Sequence, residues 1–451
     1  MSFTSFEEEY KQKLTTPAEA VKVVKDGDWV VYGEFVTTTP ALDKALAARK
    51  DELHDVHIEA CTLRFNTAVY QVDPEHKVFD INDRSLTPYS RKQGAYYMVG
   101  SYEENIKSMT MGHHRNVAFI SVCPMDKHGF FNLSLTCSDS QALIDTCDYI
   151  IVEVNKSLPY CCGGGEASFH ISQVDAIVEG DNQPPESLPA VPSADEDTQI
   201  AKLIMNELED GCCLQLGIGG IPNKVGEFIA DSDIKDLGVH TEMMMDAFMK
   251  LYKTGKITNR NKAINKGKMV YTFAMGSSEL YDFLDHNEAA LKFPSNYTND
   301  PYVIAKNPKV FAINNCLHVD LFTQVSSESV GFKQISGVGG QWDFLYGAFL
   351  SEGGKGFVCM HSTSRRKDKD GNWKVESRIV PTFAPGTCVS VPRHHTFYVV
   401  TEYGCKNMKG LSTWERAEAI ISLAHPDFRD ELIKKAEEMK IWRRSNKTDW
   451  F

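Results

Sequence analysis

Apolar runs of five or six residues recur along the chain, separated by stretches with helical spacing. Val117-Ala118-Phe119-Ile120-Ser121-Val122, Tyr149-Ile150-Ile151-Val152-Glu153-Val154, Gly356-Phe357-Val358-Cys359-Met360 and Phe397-Tyr398-Val399-Val400-Thr401 read as buried strands. Ile200, Leu203, Ile204 and Leu208 fall on one face of a helix predicted over 194–209, opened by a capping box of Ser193 and Glu196. Short strands alternating with helices predict α/β architecture around largely parallel sheets. The order helix, buried strand, glycine turn, helix occurs twice. In the first half it runs through 18–25, the strand 27–33 ending at Gly33, then Pro40 and a helix over 41–46. In the second it runs through 194–209, the strand 211–217 ending at Gly217, then Pro222 and a helix over 224–229. Gly129-Phe130-Phe131-Asn132-Leu133-Ser134 is echoed by Gly331-Phe332-Lys333-Gln334-Ile335-Ser336. Two related domains are therefore expected. The proline-rich stretch from Gly180 to Pro192 breaks both helix and strand, which puts the boundary near 190, with domains over 1–190 and 191–451. From Thr413 to Ala436 the pattern is helical, and Arg443 to Lys447 reads as a solvated tail.

Composition narrows the class. At 451 residues the chain is too long for one ordinary core, and 42% hydrophobic with 24% charged residues is the balance of a soluble globular protein. No run of eighteen apolar residues predicts a membrane span, and the acidic N-terminus lacks the features of a signal peptide. A formal net charge of −13 without a basic run argues against nucleic acid as a partner. The twelve cysteines include no Cys-x-x-Cys pair and several lie in apolar runs, so a reducing, cytoplasmic location is expected. The adjacent pairs His113-His114 and His394-His395 lack metal-ligand spacing, and no metal is expected.

Candidate chemistry centres on Glu242, where Leu237-Gly238-Val239-His240-Thr241 gives way to a predicted helix. One reading makes Glu242 a first-turn acid behind a Thr241 N-cap. The other makes it a nucleophilic carboxylate, served by glycine turns that hold an oxyanion or phosphate. Gly217-Ile218-Gly219-Gly220-Ile221 follows a buried strand and precedes a helix, the context for anion binding by backbone N–H groups or simply for a tight turn. Pro222 excludes the dinucleotide fingerprint, and no Gly-Lys-Ser/Thr closes a P-loop. Gly337-Val338-Gly339-Gly340-Gln341 is a second such turn. Gln215, at the end of the strand before the first turn, is a candidate polar neighbour of the carboxylate.

These segments, with Ser336 to Phe344, Tyr297-Thr298-Asn299-Asp300, Gly410-Leu411-Ser412-Thr413-Trp414 and Ala424 to Arg429, resemble the acetyl-CoA hydrolase/transferase family over nearly the whole chain. Within it the resemblance runs most closely to butyryl-CoA:acetate CoA-transferases, with 4-hydroxybutyrate CoA-transferases as near relatives. It implies two CoA-transferase-like α/β domains, an active site between them, and the nucleophile and glycine turns in 191–451. By resemblance Glu242 is the nucleophile, Gly217, Ile218, Gly219, Gly220 and Ile221 form a CoA-binding turn, and Gly340 and Lys367 contact CoA. The N–H groups of Gly339 and Gly340 are the implied oxyanion donors.

The implied reaction moves CoA between short-chain carboxylates, butyryl-CoA to acetate foremost, through a glutamyl-CoA thioester with ping-pong kinetics. Coenzyme A enters as a substrate thioester, no tightly bound cofactor is required, and a homo-oligomer is expected. Transfer involving 4-hydroxybutyrate or propionate, hydrolysis of the same thioester by water, and non-catalytic acyl-CoA binding remain alternatives. Loops at Glu34-Phe35-Val36-Thr37 and Phe65-Asn66-Thr67 are candidates for the acyl pocket, but the residues do not select a chain length.

Overall fold

The computed structural model describes residues 5–188 and 193–442, so the end of the proline-rich linker, the boundary at 190 and the predicted tail lie outside the described residues. The described chain forms two compact units. The first comprises residues up to 188 with Thr241–Asp246 and Lys268–Asn299, and the second the remainder.

In the first unit seven strands form one sheet, in the order Tyr96–Tyr97, Phe79–Asp83, Val56–Ala60, Trp29–Val31, Val117–Val122, Tyr149–Val154, Ala176–Glu179. Every pair is parallel. Val117–Val122 is buried along its full length, which explains why the sequence shows a continuous apolar run rather than alternation. Leu42 and Leu46, on the helix Pro40–Ala47, pack with Val30, Val56, Ile58 and Phe119. Trp29–Val31 is the point where the strand order reverses, a position whose carboxyl end favours ligand sites in open α/β sheets.

The second unit holds six strands in the order Gly238–Val239, Cys213–Leu216, Val310–Asn315, Lys355–Cys359, Tyr398–Thr401, Gly404–Asn407. All pairs are parallel except the last, which is antiparallel. Phe344 and Ala348 of the helix Gln341–Leu350 pack on Cys213, Val310 and Ala312. The C-terminal helices Thr413–Ser422 and Pro426–Glu438 bury Ile420, Ile421, Leu432 and Ala436 against Val358 and Val399. Here the order reverses at Cys213–Leu216. The two predicted repeat strands thus occupy the same topological position in their own sheets.

Several expectations are corrected. The sequence boundary puts all of 191–451 in one domain, yet Thr241–Asp246 and Lys268–Asn299, and Glu242 with them, belong to the first unit. The cause is backbone pairing. Met243–Met244 pairs with Phe273–Ala274, and that strand is held by Leu135 to Cys137: Ala274 N donates to Leu135 O at 2.8 Å and Cys137 N to Thr272 O at 3.2 Å. Lys292 N donates to Cys162 O at 3.0 Å, and Gly164 N to Lys292 O at 3.0 Å. The helix predicted over 18–25 is shorter: Pro17–Ala20 passes into a single 3-10 turn, Val21–Val23. The helix expected from 224 already begins in the glycine turn, as Gly220–Asp231. At the start of Asp195–Met205 the Asp197 carboxylate accepts from Ala194 N at 2.8 Å, in place of the expected Ser193–Glu196 box.

Candidate active site

Glu242 is not a helix-start acid. Met243–Met244 is extended, the helix begins only at Asp246 as Asp246–Lys253, and the Thr241 hydroxyl donates to Met243 O at 3.1 Å instead of capping. The Glu242 carbonyl accepts from Thr272 N at 3.0 Å and Phe273 N at 3.3 Å, and Thr241 N donates to Val270 O at 2.9 Å. These bonds fix the backbone on both sides of a half-buried side chain. Asn299 Nδ2 donates to Glu242 Oε2 at 2.7 Å. Asn299 is itself fully buried and follows the one-turn helix Ser295–Thr298; its N–H donates to Ser295 O at 2.8 Å, and Ser295 N to Ser138 O at 2.8 Å. The sequence shows Asn299 within a family-like segment without giving it a role. No spacing rule connects it to a carboxylate 57 residues away.

The charge of Glu242 is felt by two neighbours. Burial pushes the Cys61 thiol up to about 12, and Glu242 adds to the effect. Burial likewise holds the Tyr102 phenol well above its ordinary value, with the fields of Cys61 and Glu242 in the same direction. Both groups are neutral near pH 7, so the Cys61 thiol beside Glu242 is not a thiolate. Tyr102 donates to Ser138 Oγ at 2.6 Å, and Thr136 Oγ1 donates to Glu34 Oε2 at 2.5 Å. Behind them Arg84 pairs with Glu59 and Asp139, and Arg115 with Glu59 at 2.8 Å. Burial alone would raise Glu59, but Arg84 and Arg115 hold it well below the usual carboxylate range.

Phe35 joins the surroundings of Glu242 to a cleft of about 370 Å³, lined among others by Phe35, Val36, Phe65, Tyr89 and Glu153. Its ring stacks on Phe273 at 3.7 Å between centroids, and Phe273 is the register partner of Met243.

In the second unit the first glycine turn approaches Asn314 and Asn315, at the end of Val310–Asn315, and Gln341 of the second reaches Asn315. Gln215 and Asn314 exchange amide hydrogen bonds of 3.1 and 2.9 Å, so Gln215 is occupied within its own sheet. Asn315 Nδ2 donates to Ile218 O at 2.9 Å, and Gln341 Nε2 to Asn315 O at 2.7 Å. Gly219 has φ 132°, and a Cβ there would meet Asn315 Nδ2 at 2.4 Å. A Cβ on Gly220 would lie 2.5 Å from Asp197 Oδ2. Ile218 is exposed, Ile221 buried, and Gly217 partly buried. Gly339 has φ 56°, and Gly340 directly precedes the helix Gln341–Leu350. Both turns lead directly into helices, Gly220–Asp231 and Gln341–Leu350, the position from which backbone N–H groups can meet an anion. Lys367 ends the strand Thr363–Lys367 of an exposed hairpin, its ammonium 5.4 Å from the Trp373 ring centre.

Residues 2–189 match the acetyl-CoA hydrolase/transferase N-terminal domain, and residues 276–436 the acetyl-CoA hydrolase/transferase C-terminal domain. The butyryl-CoA:acetate CoA-transferase of Anaerostipes caccae is 49% identical over 98% of this chain and 100% of that protein. The chain belongs to the acetyl-CoA hydrolase/transferase family. A probable butyrate:acetyl-CoA coenzyme A-transferase of Syntrophomonas wolfei is 45% identical over 98% of each chain. The crystal structure of RipA from Yersinia pestis superposes with a TM-score of 0.87 at 34% identity, over 97% of this chain and 100% of that one. This acetyl-CoA hydrolase/transferase is an enzyme with the α/β fold of its relatives. Among the described residues no helix is long and apolar enough to cross a membrane, and no group of three or more His, Cys, Asp or Glu is placed to hold a metal ion.

Proposed function

We propose that the enzyme moves CoA from a short-chain acyl-CoA, butyryl-CoA foremost, to acetate, with Glu242 as the nucleophile. The observation that carries the reading is the setting of Glu242: an extended, backbone-clamped carboxylate held by Asn299, in a chain whose relatives are named for this transfer. The Glu242 carboxylate attacks the thioester carbonyl, and the C–S bond breaks to give an acyl-glutamyl anhydride and CoA thiolate. The thiolate attacks the glutamyl carbonyl and releases the first carboxylate, leaving a glutamyl-CoA thioester. Acetate attacks that thioester, thiolate departs, and its attack on the acetyl carbonyl of the new anhydride forms acetyl-CoA and restores Glu242. The reading assigns the CoA portion to Gly217 through Ile221, Gly340 and Lys367, and each oxyanion to the N–H groups of Gly339 and Gly340. It calls for no tightly bound cofactor.

Initial-rate kinetics with butyryl-CoA and acetate test the reading. Parallel double-reciprocal lines are expected, together with loss of exchange in Glu242→Ala. Intersecting lines, or an active Glu242→Ala, would remove the covalent scheme. Release of free CoA at the same rate without acetate would turn the reading to hydrolysis.

A further inference from the structure

The chain leaves the second sheet at the end of Lys355–Cys359 and forms a two-stranded hairpin, Thr363–Lys367 against Trp373–Ser377. The root of the hairpin lies beside the first glycine turn. Cys359 is the register partner of Asn315, whose Nδ2 donates to Ile218 O at 2.9 Å. His361, two residues before the hairpin, meets the Asp197 carboxylate at 2.7 Å, and a Cβ on Gly220 would lie 2.5 Å from that same carboxylate. The two faces of the hairpin differ. On one, Arg366 and Lys374 meet Glu376 at 2.6 and 3.2 Å. On the other, Thr363 opposes Ser377, Arg365 opposes Val375 and Lys367 opposes Trp373: two cations and two apolar side chains, with no carboxylate among the six. Trp373 is 68% exposed. The end of the hairpin is braced: Asp368 N donates to Asn372 O at 2.8 Å, and the Asp368 carboxylate accepts from Asp370 N and Asn372 N, both at 2.9 Å. Along the ribbon, Lys367 and Trp373 stand about 14 Å from the root at Thr363.

An exposed indole flanked by cations matches a ligand that is flat, aromatic and anionic. Bases stack on aromatic side chains, and cations beside the ring take the phosphate. With the pyrophosphate of CoA at the first glycine turn, the adenosine 3′-phosphate is the part that extends beyond it. We propose that Trp373 stacks on the adenine of CoA, with Arg365 and Lys367 beside the 3′-phosphate. The inference rests on the CoA-transfer reading given above and names the side chain that holds the end of CoA remote from the reacting carbonyl. Such a contact is the same before and during the chemical step, so its loss weakens binding and leaves turnover unchanged.

The test uses the full chain with Trp373→Leu, which keeps an apolar side chain without a ring, and Trp373→Phe, which keeps a ring. The KM for butyryl-CoA and kcat are measured with acetate as acceptor, together with the inhibition constant of adenosine 3′,5′-bisphosphate, which carries the adenine and 3′-phosphate of CoA without its thiol arm. In Trp373→Leu both KM and the inhibition constant are expected to rise at least about fivefold, the low end of what stacking one base on an aromatic side chain is worth, with kcat within about twofold of the parent. Trp373→Phe is expected to stay within about twofold in all three. If Trp373→Leu does not melt like the parent, Trp373→Thr, which suits a strand, takes its place. Unchanged constants in the variant without a ring, a Trp373→Phe enzyme impaired as much as Trp373→Leu, or a parent enzyme that transfers CoA but is not inhibited by the bisphosphate overturns the inference. Absence of transfer in the parent enzyme is a separate result and overturns the CoA-transfer reading instead.

Discussion

Asn299 aims the Glu242 carboxylate through a 2.7 Å hydrogen bond, and its own position is fixed by the chain Ser138, Ser295, Asn299. A nucleophile displaced by about 1 Å can lose roughly a hundredfold in rate. Asn299→Ala is therefore expected to lower kcat about ten- to hundredfold with KM for butyryl-CoA changed less than about threefold. Steady-state kinetics check this, and an unchanged kcat would show that Asn299 has no positioning role. At this scale the sequence was half legible. Glu242 stands out because a carboxylate beside a distinctive motif is visible in one dimension. Asn299 does not stand out, since its relation to Glu242 exists only after Lys268–Asn299 has packed into the first unit. The helix-start reading of Glu242 failed for a local reason: Met243 and Met244 pair as a strand, and helical spacing downstream cannot show where that pairing stops.

Glu153 shows how an element can depend on pH. It lies in Tyr149–Val154, and its Oε2 accepts from Ala41 N and Leu42 N, both at 3.1 Å, at the start of the helix Pro40–Ala47. Burial outweighs those donors and raises Glu153 from 4.5 to about 7. The folded state therefore keeps a proton that the unfolded chain releases, and stability falls as pH rises from about 4.5 to 7, by at most about 3 kcal/mol. Glu153→Gln, which keeps an acceptor for the helix N–H groups, is expected to flatten this dependence. Thermal melts between pH 5 and 8 would show it, and an unaltered slope would place the dependence elsewhere. The glycine turn gives a second element-scale prediction. Gly219→Ala puts a Cβ at a φ of 132° and against Asn315, so about 1–3 kcal/mol of stability should be lost. Urea unfolding measures it, and an unchanged midpoint would contradict the crowding at that turn. The long buried strands and C-terminal helices were legible as apolar runs and helical spacing. The two-residue strands that build the Glu242 environment were not, because two residues carry no periodicity.

For the molecule as a whole, the sequence shows two repeats and a proline-rich break, while the chain returns to its first unit twice after residue 240. A chain truncated after residue 190 would lack the strand that pairs with Thr136 and the buried Lys292, whose ammonium donates to Ser134 O at 2.5 Å. Such a truncation is expected to lose its near-ultraviolet circular dichroism and cooperative melting. A natively packed fragment would show that the returning segments are dispensable. The two strands of the expected repeat, Trp29–Val31 and Cys213–Leu216, each stand at the reversal point of their own sheet. The return was unreadable because it depends on backbone partners more than a hundred residues away, such as Leu135 and Ala274.

The central claim is that Glu242 carries CoA during turnover. Peptide mass spectrometry after mixing the enzyme with butyryl-CoA, with and without borohydride, tests it most directly. The account predicts a CoA adduct on the peptide containing Glu242, converted by borohydride to the corresponding alcohol. An unmodified Glu242 peptide, under conditions where butyryl-CoA is consumed and acetyl-CoA is formed, would contradict it.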